Sequence, residues 1–121
     1  MSDMMDNRLK KVLKKLKKDG ALGVALVDKK GNLIESDLPP DVHDETFGIM
    51  SATIIGASCR ASPRLRKGGV KRSIVHSQEG NIILSNTEGN MILSVLVEES
   101  KDVDALLEKV DSAVTEILEQ F

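Results

Sequence analysis

Cysteine and histidine are the side chains of this sequence that could supply a catalytic nucleophile and its base. The chain has one cysteine, Cys59, and two histidines, His43 and His76. A thiolate activated by an imidazole could attack a carbonyl or phosphoryl group, but the spacing places neither histidine beside the thiol. Cys59 falls inside a long apolar stretch, which is typical of a thiol that packs as a small hydrophobic group. A hydrolase that uses Cys59 or His76 is therefore the weakest functional hypothesis, and we expect no catalytic site.

A short acidic segment with one histidine offers the best set of metal ligands. Asp41, His43, Asp44 and Glu45 lie close together in the sequence, and carboxylates with imidazole bind divalent cations. The same segment comes directly before an apolar helical pattern, where Asp41 and Asp44 can cap the first N–H groups of a helix. Capping accounts for these acids without a metal. We therefore expect no metal and no cofactor, with His43 facing solvent in the first turn.

Two basic clusters stand out in a chain whose net charge is −2, one from Arg8 to Lys18 and one from Arg60 to Arg72. Gly68-Gly69 in the second cluster hints at a phosphate-binding loop. It is not a P-loop, because no Gly-Lys-Ser/Thr sequence precedes a helix. Trp and Tyr are absent, so no aromatic platform accompanies the charge and we expect no nucleic acid partner. The lysines of the first cluster form a solvated helix face or meet an acidic lipid or an acidic protein.

Hydrophobic periodicity predicts the elements that carry these side chains. Apolar residues recur at helical spacing over residues 3–18, 41–62 and 102–120. Apolar runs bounded by turn residues predict antiparallel strands over residues 22–27, 33–36, 70–76, 81–85 and 91–97. The hairpin turns between them carry Gly-Asn at Gly31, Gly80 and Gly89, since glycine tolerates the positive φ of such turns.

These elements predict a single α+β domain over residues 1–121, in the order α-β-β-α-β-β-β-α. The strands at 22–27 and 91–97 are apolar almost throughout, which indicates that both of their faces are covered. A five-stranded antiparallel sheet between helical layers meets this requirement. We expect the terminal helices on one face, the middle helix on the other, and the weakly alternating strand at 70–76 at an edge.

The middle helix has more apolar surface than one sheet can cover. Its sequence carries no charge from Thr46 to Cys59. One predicted stripe consists of Phe47, Met50, Ile54 and Ala57. The second consists of Ile49, Ala52, Thr53, Gly56 and Arg60, with Ile55 and Cys59 between the two stripes. The chain offers no further helix to cover the second stripe, so this stripe predicts contact with another protomer.

The sequence also bears on localisation. The longest uncharged stretch, residues 46–59, is shorter than the roughly 20 residues that a membrane-spanning helix needs. Asp3 and Asp6 stand where a signal peptide would need apolar residues. We therefore expect no integral membrane segment and a cytoplasmic protein.

Several short motifs follow one another in the order of the predicted elements. They are Gly23-Val24-Ala25-Leu26-Val27-Asp28-Lys29-Lys30-Gly31, the small-residue helix from Ile49 to Ala61, Gly80-Asn81-Ile82-Ile83-Leu84, and Met91-Ile92-Leu93-Ser94-Val95-Leu96. In this order they resemble the Roadblock family, the dynein light-chain and bacterial gliding-motility regulator type, over nearly the whole chain. The resemblance implies a profilin-like fold. The lysine-rich first helix departs from the family pattern.

The resemblance also implies a homodimer or close heterodimer that is not an enzyme. Such a dimer would bind and regulate a Ras-like small GTPase or serve as a scaffold that assembles a regulatory complex. Family members join through the middle helix and the adjacent edge strand. The interface predicted here consists of Ile49, Ala52, Thr53, Ile55, Gly56 and Arg60 on the helix and Ser73 and Val75 on the strand. The side chains predicted to contact the GTPase are Arg60, Arg64, Arg66 and Lys67.

A different class of protein remains as the alternative: a profilin-like domain that senses a small anion near Arg64 to Arg72. The two hypotheses differ in what they require of the middle helix. If it forms a dimer interface, Gly56→Leu and Ile55→Asp are both expected to disrupt dimerisation more than folding.

Overall fold

A five-stranded antiparallel sheet lies between two helical layers, in the order of elements that the sequence predicts. The structure is a computed structural model that describes residues 2–87 and 90–120, and the side chains from residue 7 onward. Its helices are α1 (Ser2–Lys18), α2 (Asp44–Arg64) and α3 (Val103–Leu118). Its strands are β1 (Gly23–Asp28), β2 (Leu33–Asp37), β3 (Arg72–Ser77), β4 (Gly80–Asn86) and β5 (Met91–Glu98). Within this described part, no helix combines the length and apolarity that crossing a bilayer requires.

The strand order explains the two apolar strands of the sequence. The sheet runs β2-β1-β5-β4-β3, so that β1 and β5 both have a neighbour on each side. Leu26 of β1 pairs with Leu93 of β5, and Val95 of β5 pairs with Ile83 of β4. Almost every residue of β1 and β5 is buried, because helices cover both faces of the sheet at these strands. The predictions of two strands covered on both faces and of an edge strand near 70–76 are confirmed, except that Leu22 lies before β1 and is 42% exposed.

The terminal helices share one face of the sheet, as predicted. Leu13 of α1 and Val110 of α3 belong to one apolar cluster with Val24, Leu26 and Val95 of the sheet. The hydrophobic stripe of each helix therefore points at the sheet, and its charged residues remain in solvent. Met5, Gly89 and Phe121, which the sequence places in the first helix, in the last hairpin and at the end of the last helix, lie outside the described side chains or residues.

The buried side of α2 differs from the predicted stripe. Met50 is 50% exposed and Ala57 is exposed, although both were expected to face the sheet. The buried residues of α2 are Phe47, Gly48, Ser51 and Ile55. Because this helix is apolar on several sides, its hydrophobic period does not select one orientation. Gly48 and Ser51 are on the buried side instead, since their small size lets the backbone of α2 lie close to the rest of the chain.

The ends of α2 also differ from expectation. His43, rather than Asp41 or Asp44, is the N-cap residue, and its Nδ1 accepts a hydrogen bond from the N–H of Thr46 at 3.3 Å. The helix continues through Pro63 to Arg64 instead of ending at Ser62-Pro63. At α3, the N-cap is an aspartate: the Asp102 carboxylate accepts a hydrogen bond from the N–H of Asp104 at 2.9 Å.

A backbone crossing fixes α2 against the β1–β2 turn. A Cβ atom placed on Gly48 would overlap the carbonyl oxygen of Gly31, and a Cβ on Gly31 would lie 3.0 Å from the Cα of Ile49. Gly31 has a φ of 97°, which confirms the prediction of a positive φ at this turn. The turn residues Lys29 and Lys30 are therefore held beside α2.

Gly48→Ala is expected to destabilise the fold by about 1–3 kcal/mol, because the new methyl group has to push the helix and the turn apart. Gly56→Ala in the same helix is the matched control. A Cβ at Gly56 meets no atom of its own chain within 4 Å, so in the monomer this change is expected to stabilise the helix by about 0.5–1 kcal/mol. Denaturant unfolding of the two variants, at protein concentrations low enough to keep the chain monomeric, measures the difference. Equal effects at the two glycines would contradict the backbone contact between Gly31 and Gly48.

Candidate protein-interaction surface

An exposed face of α2, called here the outer face, brings together most of the predicted interface. Ile49 is 51% exposed, and Thr53 and Arg60 are also exposed. Ala52 and Gly56 are half-buried, and Ala52 packs against the apolar cluster of Ile55 beneath the helix. The five residues lie along one side of the helix, so the predicted second stripe exists as a surface of the folded chain.

The outer face borders a shallow groove of about 320 Å³. The groove extends beyond the predicted stripe, because Ala57 of α2 and Lys29 and Lys30 of the β1–β2 turn also line it. Met50 is a further exposed apolar residue of this helix. Sequence reasoning missed Lys29 and Lys30 because their place beside α2 depends on the backbone crossing at Gly31 and Gly48.

Ile55 does not belong to the outer face, and its prediction as an interface residue is wrong. Its side chain is only 1% exposed and packs with Leu84 and Ile92 of the sheet. A helical turn has 3.6 residues, so Ile55 points away from the side that Ile49 and Thr53 occupy. Ile55→Asp should therefore unfold the protein, because it would bury a carboxylate among apolar side chains.

The predicted strand residues lie at an edge of the sheet, next to the second half of α2. Ser73 and Val75 are half-buried. The hydroxyl of Ser73 lies 2.8 Å from that of Ser58 on α2, and Val75 packs against the cluster around Ile55. Their side chains therefore support α2. Within the sheet described here, β3 pairs only with β4, so the other edge of β3 presents backbone N–H and C=O groups.

A basic cluster, defined by Arg60, Arg64, Arg66 and Lys67, lies at the C-terminal end of α2, and all four side chains are exposed. Arg66 has a φ of 59°. The N–H of Arg66 donates to the carbonyl oxygen of Pro63 at 2.9 Å, and the N–H of Lys67 donates to the carbonyl oxygen of Ser62 at 3.0 Å. This is a Schellman cap, in which glycine usually takes the left-handed position. The cap fixes the backbone of the basic cluster at the C-terminal end of α2. Positive side chains are favourable at this end because it is the negative end of the helix dipole.

The geometry gives less support to the alternative hypothesis, an anion-binding site near Arg64 to Arg72, than to the protein-interaction hypothesis. Arg72 turns toward α3, where its Nη2 lies 3.0 Å and 3.1 Å from the two carboxylate oxygens of Asp111. Its charge is therefore already compensated. A Cβ at Gly68 or Gly69 meets no atom within 4 Å, so the glycines form an open loop and not a cradle around an ion.

The candidate catalytic and metal-binding residues have other contacts. Cys59 is half-buried, and the Asn86 amide Nδ2 lies 3.7 Å from its sulfur. The Nδ1 atom of His76 lies 2.8 Å from Oδ1 of Asn81, and His43 caps α2. Among the side chains that the structure describes, no group of three or more His, Cys, Asp or Glu residues is placed to hold a metal ion.

The structure defines a small α+β domain with an exposed, uncharged middle section on α2, and comparison with known proteins identifies its family. The Roadblock/LC7 domain matches residues 8–97. The chain belongs to the Roadblock/LC7 family, which confirms the resemblance read from its motifs.

Individual relatives agree with this assignment. Uncharacterized protein MJ0714 of Methanocaldococcus jannaschii is 30% identical over 96 residues, which cover 78% of this chain and 80% of that protein. The structure of Myxococcus xanthus MglB superposes with a TM-score of 0.88 at 17% identity, covering 94% of this chain and 87% of MglB. A Roadblock/LC7 domain from Streptomyces avermitilis gives 0.82 at 16% identity, covering 89% and 92%. The predicted Roadblock fold is confirmed.

The β1–β2 turn beside the outer face is held by one carboxylate. Asp28 accepts hydrogen bonds from the N–H groups of Lys30 and Asn32, each at 2.9 Å, and from the Asn32 amide at 3.1 Å. These bonds, that of the Asn32 N–H foremost, lower the pKa of Asp28 below its usual value. They favour the ionised carboxylate, because each donates to a negative charge.

The turn should therefore contribute a pH-dependent part of the stability. Since the folded pKa of Asp28 is lowered, its contribution is complete above the unfolded pKa of about 4 and is lost as the pH falls through the folded pKa. Asp28→Asn keeps an acceptor oxygen but removes the charge. Thermal melting should show the variant less stable than the wild type at neutral pH, and the gap should narrow below about pH 4. A gap that is constant with pH would contradict a role for the charge.

Proposed function

We propose that this protein is a non-enzymatic dimer that binds a Ras-like small GTPase. The outer face of α2 carries the proposal, because its residues Ile49 and Thr53 are exposed on a helix without charge in its middle, and Met50 of the same helix is exposed as well. Membership in the Roadblock/LC7 family supports it, since the resemblance of the sequence to that family implies dimers that act on such GTPases.

The dimer we propose joins two copies through the outer face and the free edge of β3. Gly56 has no atom within 4 Å of its Cβ position, so a second helix can approach the backbone there. The second half of α2 runs beside β3, as the Ser58–Ser73 contact at 2.8 Å indicates. A twofold axis near this place would therefore bring helix to helix and strand edge to strand edge at once. Pairing of the two edges satisfies backbone groups that otherwise face water.

The proposed GTPase-binding platform consists of the two α2 helices and their basic clusters. In each copy, the groove has Ile49, Ala52 and Ala57 among its lining residues, with Lys29, Lys30 and Arg60 as its charged members. An apolar centre with a charged rim is the usual anatomy of a protein interface. The arginines can form charge-assisted hydrogen bonds with acidic side chains of the partner. Tighter binding to one nucleotide state would shift the GTPase cycle without catalytic atoms from this chain.

Gly56→Leu is expected to convert the dimer to a monomer while the fold remains intact. The leucine side chain enters open space in one chain but collides with the second helix of the dimer. Analytical ultracentrifugation measures the mass, and circular dichroism measures the folding. A Gly56→Leu protein that dimerises as tightly as the wild type would remove the outer face from the interface.

Ile55→Asp is the contrasting change in the neighbouring position. It is expected to destabilise the fold by several kcal/mol, of the order of 3 or more, because a carboxyl group replaces a fully buried apolar side chain. Loss of structure in Ile55→Asp together with a folded monomeric Gly56→Leu would separate the buried side of α2 from its outer face.

Charge reversal in the basic cluster is expected to weaken binding of a Ras-like GTPase from the same organism. For Arg60→Glu combined with Arg64→Glu, the loss of charge-assisted hydrogen bonds predicts a decrease of about tenfold or more in affinity. Titration calorimetry with GDP-loaded and GTP-analogue-loaded GTPase measures this decrease.

Arg8→Glu, an exposed change on α1, is the control and should leave the affinity unchanged. Equal affinity in the Arg60/Arg64 variant and the wild type would contradict the placement of the partner at the end of α2. A rise in melting temperature with inorganic phosphate, without binding of any GTPase, would favour the anion-sensing alternative.

A further inference from the structure

The helical layer on the opposite side of the sheet, formed by α1 and α3 and called here the outer layer, has a pronounced division of charge. α1 contacts β1 and β2, whereas α3 contacts β4, so the two helices cover different halves of one face. Lys15 lies 3.6 Å from Glu116, and Arg8 and Glu119 line one groove between the helices. The two helices therefore run side by side in opposite directions.

The α1 half of the outer layer is positive and the α3 half is negative. The exposed cations of α1 are Arg8, Lys10, Lys11, Lys14, Lys15 and Lys18. The exposed acids of α3 and its C-cap are Asp104, Glu108, Asp111 and Glu119, against one exposed cation on this helix, Lys109. Among the side chains that the structure describes, the ion pairs of these two helices are Lys15–Glu116, Lys17–Asp37 and Arg72–Asp111. Most of these exposed charges therefore lie outside the ion pairs of their own chain.

A surface with this division of charge discriminates between partners. A uniformly anionic partner, such as a lipid surface, would be attracted by α1 but repelled by the acids of α3 on the same face. A second outer layer meets both halves favourably if it is turned by half a revolution about an axis parallel to the helices. The chain itself therefore has the complementary surface, in an arrangement that is symmetric and closed.

We propose that the outer layer binds the outer layer of a second copy, with α1 of each copy against α3 of the other. This contact uses the face of the sheet opposite α2, so it does not depend on the dimer proposed above. It would join two α2 dimers back to back. Because exposed ion pairs are individually weak and are screened by salt, the contact should be weak and should disappear at high ionic strength.

Sedimentation equilibrium of the full chain at two ionic strengths tests the proposal. Between about 0.01 M and 1 M salt, the screening length falls from about 30 Å to about 3 Å. The wild-type protein should have twice the mass at low salt that it has at high salt, with an association constant at least tenfold larger. The same mass at both salt concentrations over the accessible protein range would overturn the proposal.

Charge-reversal variants show whether α1 and α3 form the contact. Lys14→Glu with Lys18→Glu lowers the positive charge of the α1 half, and Glu108→Lys with Glu119→Lys removes the negative excess of the α3 half. Each variant alone should associate about tenfold more weakly than the wild type at low salt. An equimolar mixture should associate more tightly than either variant alone, because the unchanged α1 half of one variant can meet the unchanged α3 half of the other. Wild-type association in both variants, or a mixture that associates no more tightly than its components, would overturn the proposal.

Two controls separate the contact from general charge effects. Arg64→Glu with Lys67→Glu changes the net charge as much as the α1 variant but lies at exposed positions at the C-terminal end of α2, outside the outer layer. This control variant should keep the salt-dependent association. Loss of the association in the control would show a nonspecific effect of net charge and would overturn the proposal.

Flotation with phosphatidylserine vesicles tests whether a membrane is the partner of the outer layer instead. Binding to the vesicles that requires Lys14 and Lys18, without self-association at low salt, would overturn the proposal in favour of a lipid surface.

Discussion

The crossing of the β1–β2 turn over α2 at Gly31 and Gly48 is the constraint on which the rest of the α2 side depends. The backbones approach so closely that a Cβ atom at Gly48 would overlap the carbonyl oxygen of Gly31, and one at Gly31 would lie 3.0 Å from the Cα of Ile49. This contact decides the rotation of α2 about its own axis. It turns Phe47, Ser51 and Ile55 toward the sheet, and leaves Ile49 and Thr53 in solvent. It also brings Lys29 and Lys30 to the groove beside the outer face.

The order of the elements could be predicted from the sequence because each element has a simple local signature. α1 and α3 have one apolar stripe each, and β1 and β5 are apolar throughout because both of their faces are covered. The rotation of α2 could not be predicted in the same way. Its hydrophobic period is weak because the helix is apolar on several sides, and the decisive contact joins residues from two distant parts of the chain.

The candidate surface could likewise be predicted where it depends on neighbours along the helix, but not where it depends on packing against distant parts of the chain. Ile49, Thr53 and Arg60 were correctly expected on one exposed side, because residues three and four apart share a face of any helix. Ile55 was assigned wrongly, since its position between two stripes left its direction to the packing of α2 on Leu84 and Ile92. His43 was missed as the cap of α2 because aspartate is the commoner capping residue in such a segment.

The two faces of the sheet carry surfaces of opposite physical character. The outer face of α2 has an uncharged centre with a helix backbone open at Gly56, so a contact there would depend mainly on burial of apolar area. The outer layer of α1 and α3 is charged in two opposite halves, so a contact there would depend strongly on salt. Because the sheet separates the two surfaces, one contact can form or dissociate without disturbing the other. Ionic strength could then control how many protomers assemble while the α2 surface, and whatever it binds, stays unchanged.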